Sequence, residues 1–443
     1  MARKDLIILH VQNRAMIRKI YKFGGASVKD ADAVRNLKQI VENHKNEDTL
    51  LVVSAMGKMT NAFEKVLADF RTHDGQLGWE AMSPIMEYHE KIITGLFEPE
   101  KVDAVIEKIT LLLIELYDKL QDTRKAYDYQ YDQTVSYGEL ISTTIIAAYL
   151  NESGIPTRWL DARQYVITDN NFRSASPDWN ETRLRIQKLD TEHIRGLVCL
   201  TQGFIGSTNG GKHATTLGRE GSDFTAAIFA NCLDAEEVTI WKDVDGLLNA
   251  DPKRFKETVK IPHISYSEAI ELAFYGASII HPKTIKPLQN KGITLKVQSF
   301  LHPEMDPTVI DSLPSPITYH PSSITHHIVK DNQTLVSVSP RDFSFMNEHN
   351  LKTVFEICDE LHIHANMMQT SALTLSICFD HDDAKRDALI ETLNKSFSIK
   401  YNENLQLYTI RHYEEGLEND FIAGRKIYLE QRSRATAQFV IGE

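Results

Sequence analysis

Residues 17–300 switch repeatedly between short β-type runs and helical runs. That alternation constrains the fold more than any other feature of the 443-residue chain. Segments 17–23, 49–54, 197–202 and 237–242 read as strands. Thr49-Leu-Leu-Val-Val-Ser54 is apolar almost without a break, as in a parallel strand covered on both faces. A helix from about Asp30 carries Val34, Leu37, Ile40 and Val41 on one side. Segment 101–120 carries Val102, Val105, Ile109, Leu112, Leu113, Leu116 and Leu120, the pattern of an amphipathic helix. This order predicts an α/β sandwich on a mostly parallel sheet, with ligands beyond the carboxyl ends of the strands.

Two glycine loops fall at such ends. Ala214-Thr-Thr-Leu-Gly-Arg-Glu-Gly-Ser-Asp223 feeds an apolar helical run over 224–233. The first amides of a helix lack internal partners and favour an anion, and Arg219 adds a forked cation. Ser222 is the expected N-cap. The second loop, Gly24-Gly25-Ala26-Ser27, follows a strand ending near Lys22. Either loop alone equally fits a tight turn with a solvated cation. Two in one chain point to a nucleotide.

Bulk properties narrow the class. The formal net charge of −12 argues against nucleic acid or an anionic membrane as partner. An anionic substrate must therefore be drawn by local cationic loops. Cys199, Cys232, Cys358 and Cys378 lie in apolar runs with no Cys-x-x-Cys pair, which suggests reduced core thiols of a cytoplasmic protein. No apolar stretch approaches the ~20 residues needed to span a bilayer. Residues 1–15 read as an N-terminal extension, because Met16 immediately precedes the first convincing strand.

The motifs and their order also carry a resemblance. Lys22-Phe-Gly-Gly-Ala-Ser27, Ser54-Ala-Met-Gly-Lys-Met-Thr-Asn61, Ser136-Tyr-Gly-Glu139 and Thr216-Leu-Gly-Arg-Glu-Gly-Ser-Asp223 come first. Asp243-Val-Asp-Gly246, Asp251-Pro-Lys253 and Gly276-Ala-Ser-Ile-Ile-His-Pro282 follow. The set resembles the aspartate kinases of the amino acid kinase family. The resemblance implies phosphoryl transfer from ATP, with Mg2+, to the side-chain carboxylate of L-aspartate. The product is 4-phospho-L-aspartate, on the way to lysine, threonine and methionine. It implies catalytic roles for Lys22 and Asp223, and substrate contacts from Ser54, Thr60, Glu139, Arg219 and Ser222. ATP contacts fall to Lys22, Gly24, Gly25, Ser27, Lys242, Asp243, Leu248, Lys253 and Ser278. Bland readings stand beside these: Glu139 on the wet face of its helix, Asp223 complementing a helix dipole, Ser54 and Thr60 as turn and cap residues.

The expected domains are a kinase domain over 16–301, a proline-rich linker over 302–323 and an ACT-like βαββαβ region over 324–443 with a partial second copy. By resemblance, lysine or threonine is the effector, the chain is a homodimer through the ACT-like region, and Ser344, Asn347, Asn366, Thr370 and Ser371 form the effector site. Segment 428–441 supplies strands to the partial copy or to a dimer's shared sheet. Several positions depart from the family. Glu220 stands in place of glycine, Leu248 of tyrosine, Lys253 of arginine and Asn366 of aspartate. Ser278 replaces a lysine that contacts ATP phosphates, leaving Lys242 or Lys283 to supply charge. Two patterns mislead. Segment 206–212 fits Gly-x-x-x-x-Gly-Lys, but His213 follows where a hydroxyl is required, so it reads as a hairpin over the nucleotide. His326, His327, His362 and His364 read as solvated, and no metal ligand set is expected. Alternative readings are a kinase for another acyl acceptor and a non-catalytic amino-acid sensor.

Overall fold

The computed structural model describes residues 17–44, 49–189, 196–208, 211–277, 280–312, 324–342, 344–414, 416 and 419–442. The apolar runs of its first part assemble one eight-stranded sheet. Its strands are β1 (Lys19–Phe23), β2 (Thr49–Val53), β3 (Thr157–Leu160), β4 (Val198–Gln202), β5 (Glu237–Lys242), β6 (His263–Ser265), β7 (Thr294–Ser299) and β8 (Thr308–Asp311). The order is β6-β8-β7-β5-β1-β2-β4-β3. Only the β7–β8 pair is antiparallel.

Side chains alternate across a strand, and β1 shows the consequence. Tyr21 and Phe23 join Leu51 and Val53 in the core under α1 (Ala31–Asn43), α2 (Met59–Thr72), α3 (Pro99–Leu120) and α4 (Tyr127–Glu152). Ile20 and Lys22 therefore point to the opposite face, where α5 (Gly221–Leu233) packs. Asp30 caps α1, accepting from the Ala33 amide at 2.8 Å. In α3 the buried residues are Val105, Ile109, Leu113, Leu116 and Leu120, each burial contributing roughly 1.5–3 kcal/mol. Helix α4 is buried nearly all round from Asp132 to Ile146, as expected of a helix inside the core.

The polypeptide divides into two compact units. One holds residues 1–247, 262–266 and 280–314, and the other holds 248–261, 267–279 and 315–443. The second is built on β9 (His326–Pro340), β10 (Ala365–Thr370), β11 (Leu375–Asp380), β12 (Phe397–Arg411), β13 (Lys426–Arg432) and β14 (Thr436–Gly442). They form one antiparallel sheet in the order β10-β11-β9-β12-β14-β13. Helices α6 (Glu348–Glu360) and α7 (Asp383–Leu393) bury Val354, Cys358, Leu389 and Leu393 against it.

Four expectations meet the structure here, and two change: the linker and the N-cap of α5. The proline-rich segment is not all linker: Thr308–Asp311 is strand β8, paired with both β6 and β7, while residues 313–323 lie outside the described part. Segments 248–261 and 267–279, within the expected kinase domain, cluster with the second unit. Phe255 stacks on Tyr408 and Phe421 there, and Glu268 accepts two bonds of 2.9 Å from Arg411. The C-terminal strands β13 and β14 extend this same sheet through β12. Ser222 is not the N-cap of α5. Glu220 holds that position with a left-handed φ of +54°, placing Ser222 and Asp223 in the first turn. The expected extension over 1–15 lies outside the described residues. Among the described residues no helix is long and apolar enough to cross a membrane.

Candidate active site

Beyond the carboxyl end of β1 the chain turns sharply through Gly24 and Gly25. The Ser54 amide, just after neighbouring β2, donates to the Phe23 carbonyl at 3.1 Å, and the Gly57 amide donates to the Gly25 carbonyl at 3.0 Å. A Cβ on Gly25 would sit 2.6 Å from the Gly57 oxygen and 2.9 Å from that of Ala55, so no larger residue fits. This contact lays the two loops side by side.

The loops open into a cavity of about 560 Å³. Of the residues expected from sequence, Lys22, Gly25, Ser54, Thr60, Glu139, Arg219, Ser222, Asp223 and Lys242 line it. Alternation along β1 and the first turn of α5 bring Lys22 Nζ to 2.6 Å from Asp223 Oδ1, with both side chains nearly buried. A lysine so held is fixed in direction and paired, which lowers the cost of burying it.

Glu139 is 2% exposed, on α4, and not on a wet face. Its Oε1 accepts only the Ala55 amide, at 3.3 Å, and its Oε2 has no partner among the described residues. Burial pushes its carboxyl up to about 8. A buried carboxyl left half-satisfied at a cavity wall suits a ligand cation.

Asp132, about two turns earlier on α4, has the opposite character. It is fully buried and accepts from the Thr216 amide at 2.8 Å, the Thr216 hydroxyl at 2.7 Å and the Arg173 amide at 3.1 and 3.0 Å. Burial still raises it to about 6. Asp132 thereby anchors the strand that feeds the Arg219 loop. Glu220 does not tie up Arg219: its Oε2 accepts the His281 amide at 2.8 Å. Sequence reading missed Asp132, Arg173 and Phe204 as site residues. The latter two line the cavity with positive φ values of +68° and +69°, a local property that no motif around them marks.

Other expected residues fall elsewhere. Gly24, Ser27 and Asp243 are not in the wall; the Ser27 hydroxyl instead donates to the Trp241 carbonyl at 3.3 Å. Leu248 and Lys253 belong to the second unit, and Ser278 lies outside the described residues. The effector candidates sit in the second unit, largely engaged in its own architecture. Asn347 caps α6 and Ser371 closes a turn with Thr374. Ser344 and Thr370 are exposed. Asn366 accepts from Lys330 and donates to Gln333 and Asp380, each at 2.8 Å.

The 206–212 segment belongs to a hairpin of Ile205–Thr208 and Ala214–Thr216, whose His213 ring meets the Tyr129 hydroxyl at 3.2 Å; residues 209 and 210 are not described. His326 is buried, not solvated, because its strand pairs with Arg411 beside His412. Glu268, His326 and His412 gather there, but Arg411 occupies both oxygens of Glu268, which disfavours a cation. Desolvation pulls His326 down to about 4.

The cavity can thus hold two anions at neighbouring cationic loops and a ligand cation at Glu139. A model of the amino acid kinase family matches residues 18–299. The lysine-sensitive aspartokinase 3 of Escherichia coli is 31% identical over 367 residues, covering 82% of this chain and 78% of that protein. Aspartokinase 1, chloroplastic, of Arabidopsis thaliana is 30% identical, with 82% of this chain and 63% of that protein covered. The chain spans only 42% of a bifunctional aspartokinase/homoserine dehydrogenase from the same plant. The crystal structure of E. coli aspartokinase III with aspartate and ADP matches at a TM-score of 0.78 and 26% identity, over 96% of each chain. The same enzyme with lysine and aspartate matches at 0.77, over 96% and 95%.

Proposed function

The chain belongs to the amino acid kinase family, among the aspartokinases, and we propose that it transfers the γ-phosphoryl group of ATP to the side-chain carboxylate of L-aspartate. One observation carries this reading. The Lys22–Asp223 pair shares a cavity with Arg219, Ser222 and a buried, half-satisfied Glu139. An acceptor with an ammonium group and two carboxylates matches those charges. An acylated amine offers Glu139 no cation, which disfavours acceptors of the N-acetyl type.

The acceptor carboxylate is ionised at neutral pH, so no general base is required. Its oxygen attacks the γ-phosphorus; the new P–O bond makes an acyl phosphate as the bond to the ADP oxygen breaks. Lys22, aimed by Asp223, offsets charge on the moving phosphoryl. Amides of the Gly24–Gly25 turn and of the first turn of α5 suit the phosphate oxygens. Arg219 and Ser222 hold the α-carboxylate, Ser54 and Thr60 bound the pocket, and Lys242 adds charge from the end of β5. Mg2+ fits as the nucleotide's companion: Asp223 and Glu220 are engaged with Lys22 and the His281 amide, leaving phosphate oxygens and water as ligands. When bound it would neutralise phosphate charge.

We assign the C-terminal sheet as an ACT-like regulatory region that pairs two copies of the chain. Lysine or threonine is its candidate effector, near Ser344, Asn347, Asn366, Thr370 and Ser371. The test is ADP release with each of several amino acids, with and without lysine and threonine. Aspartate-dependent ADP release supports the reading; equal release without aspartate, or none with ATP and Mg2+ supplied, overturns it.

A further inference from the structure

Beyond the residues already given roles, we propose that Arg173 is a second substrate-gripping arginine, sharing the acceptor's α-carboxylate with Arg219. This rests on the aspartate-kinase reading of the cavity and extends it to a residue outside every recognised motif.

Arg173 lines the same cavity wall as Arg219, Ser222 and Glu139. Its φ of +68° is a left-handed conformation that side chains other than glycine seldom adopt. Strain of this kind persists where the surroundings enforce it, and it clusters at functional sites. Here the enforcement is visible. Both oxygens of buried Asp132 accept the Arg173 amide, and the same carboxylate accepts twice from Thr216. The Ala175 amide bonds the Thr216 carbonyl at 2.9 Å. A Cβ on Gly218 would lie 3.3 Å from the Arg173 oxygen. The turn bearing Arg173 and the loop bearing Arg219 are therefore laid together and hung from one buried carboxylate.

The side chain is steered as well. Its guanidinium sits 4.6 Å from the centre of the Tyr131 ring and 5.7 Å from that of Tyr127. Asp128 meets one end at 3.4 Å. Stacking on aromatic faces leaves the in-plane donors of an arginine available. Two arginines on neighbouring loops, both lining one cavity, suit a carboxylate better than either alone.

The experiment uses the full chain with Arg173→Gly and Arg173→Lys. Glycine accommodates the left-handed φ, so Arg173→Gly should unfold thermally no earlier than the unsubstituted protein. Steady-state kinetics with aspartate should show KM raised about tenfold, kcat within about threefold, and an unchanged KM for ATP. Arg173→Lys should fall between. Aspartate carrying an amide in place of its α-carboxylate is the discriminating probe. The preference for aspartate over that amide should drop about tenfold in Arg173→Gly. An aspartate KM within about twofold of the unsubstituted protein's overturns the inference while leaving the kinase reading intact. So does an equal rise for aspartate and the amide, which marks general loosening. Failure of the unsubstituted protein to phosphorylate or bind aspartate overturns both.

Discussion

Two groups of polar residues occupy the two units in opposite chemical states. In the cavity, Glu139 keeps one oxygen without a partner among the described residues although it is buried, and Arg173 is held in a strained backbone conformation. In the C-terminal sheet, Asn366 uses both ends of its amide, Asn347 caps a helix and Ser371 closes a turn. Buried polar groups are normally satisfied, so an unsatisfied one at a cavity marks a place built for something absent from the fold itself. A satisfied group needs only structure to explain it. The contrast makes the cavity the better-supported site and leaves any effector to compete with bonds the sheet already makes.

The largest expected effect breaks the contrast at its strongest point. Lys22→Ala should lower kcat by about a thousandfold or more with little change in the aspartate KM, read by steady-state kinetics. Asp223→Ala should lose similar activity and also stability, by about 3 kcal/mol, because Lys22 is left as an uncompensated buried charge; denaturant unfolding reads this. Glu139→Gln should raise the aspartate KM by about a hundredfold.

Glu139 also carries a pH signature. Its carboxyl rises from 4.5 to about 8 on folding, so the folded state favours the proton. Its contribution is therefore most favourable to folding below about pH 4.5 and erodes as pH climbs toward 8. Glu139→Gln should accordingly gain thermal stability relative to the unsubstituted protein at pH 8 and show little difference at pH 5. Smaller still, Asn366→Ala should lower the melting temperature by a few degrees through three lost hydrogen bonds, each worth about 1 kcal/mol. No drop would mean the sheet does not depend on that network.

Much of the cavity was legible because its residues sit on regular elements. Once Lys22 is placed on a strand and Asp223 on the helix packing its other face, period-two alternation brings them together. The apolar spacing of α3 and the start of α1 near Asp30 were equally local. What escaped depends on tertiary context. Thr308–Asp311 became a strand because β6 and β7 both offer it edges, against a proline-rich composition. Glu220 displaced Ser222 as N-cap by adopting a left-handed turn closed onto the His281 amide. No motif marks Asp132, and only folding shows that it binds two distant turns. His326 read as solvated until its strand found Arg411.

On the proposed function, Glu139 waits, protonated, for the ammonium of an acidic amino acid. Calorimetry of aspartate binding at pH 7 in buffers of different ionisation enthalpy measures it most directly. Pairing with the ammonium should ionise the carboxyl, releasing close to one proton from the unsubstituted protein and none from Glu139→Gln. Binding of aspartate with no proton released, or with the same release from both proteins, would contradict the account.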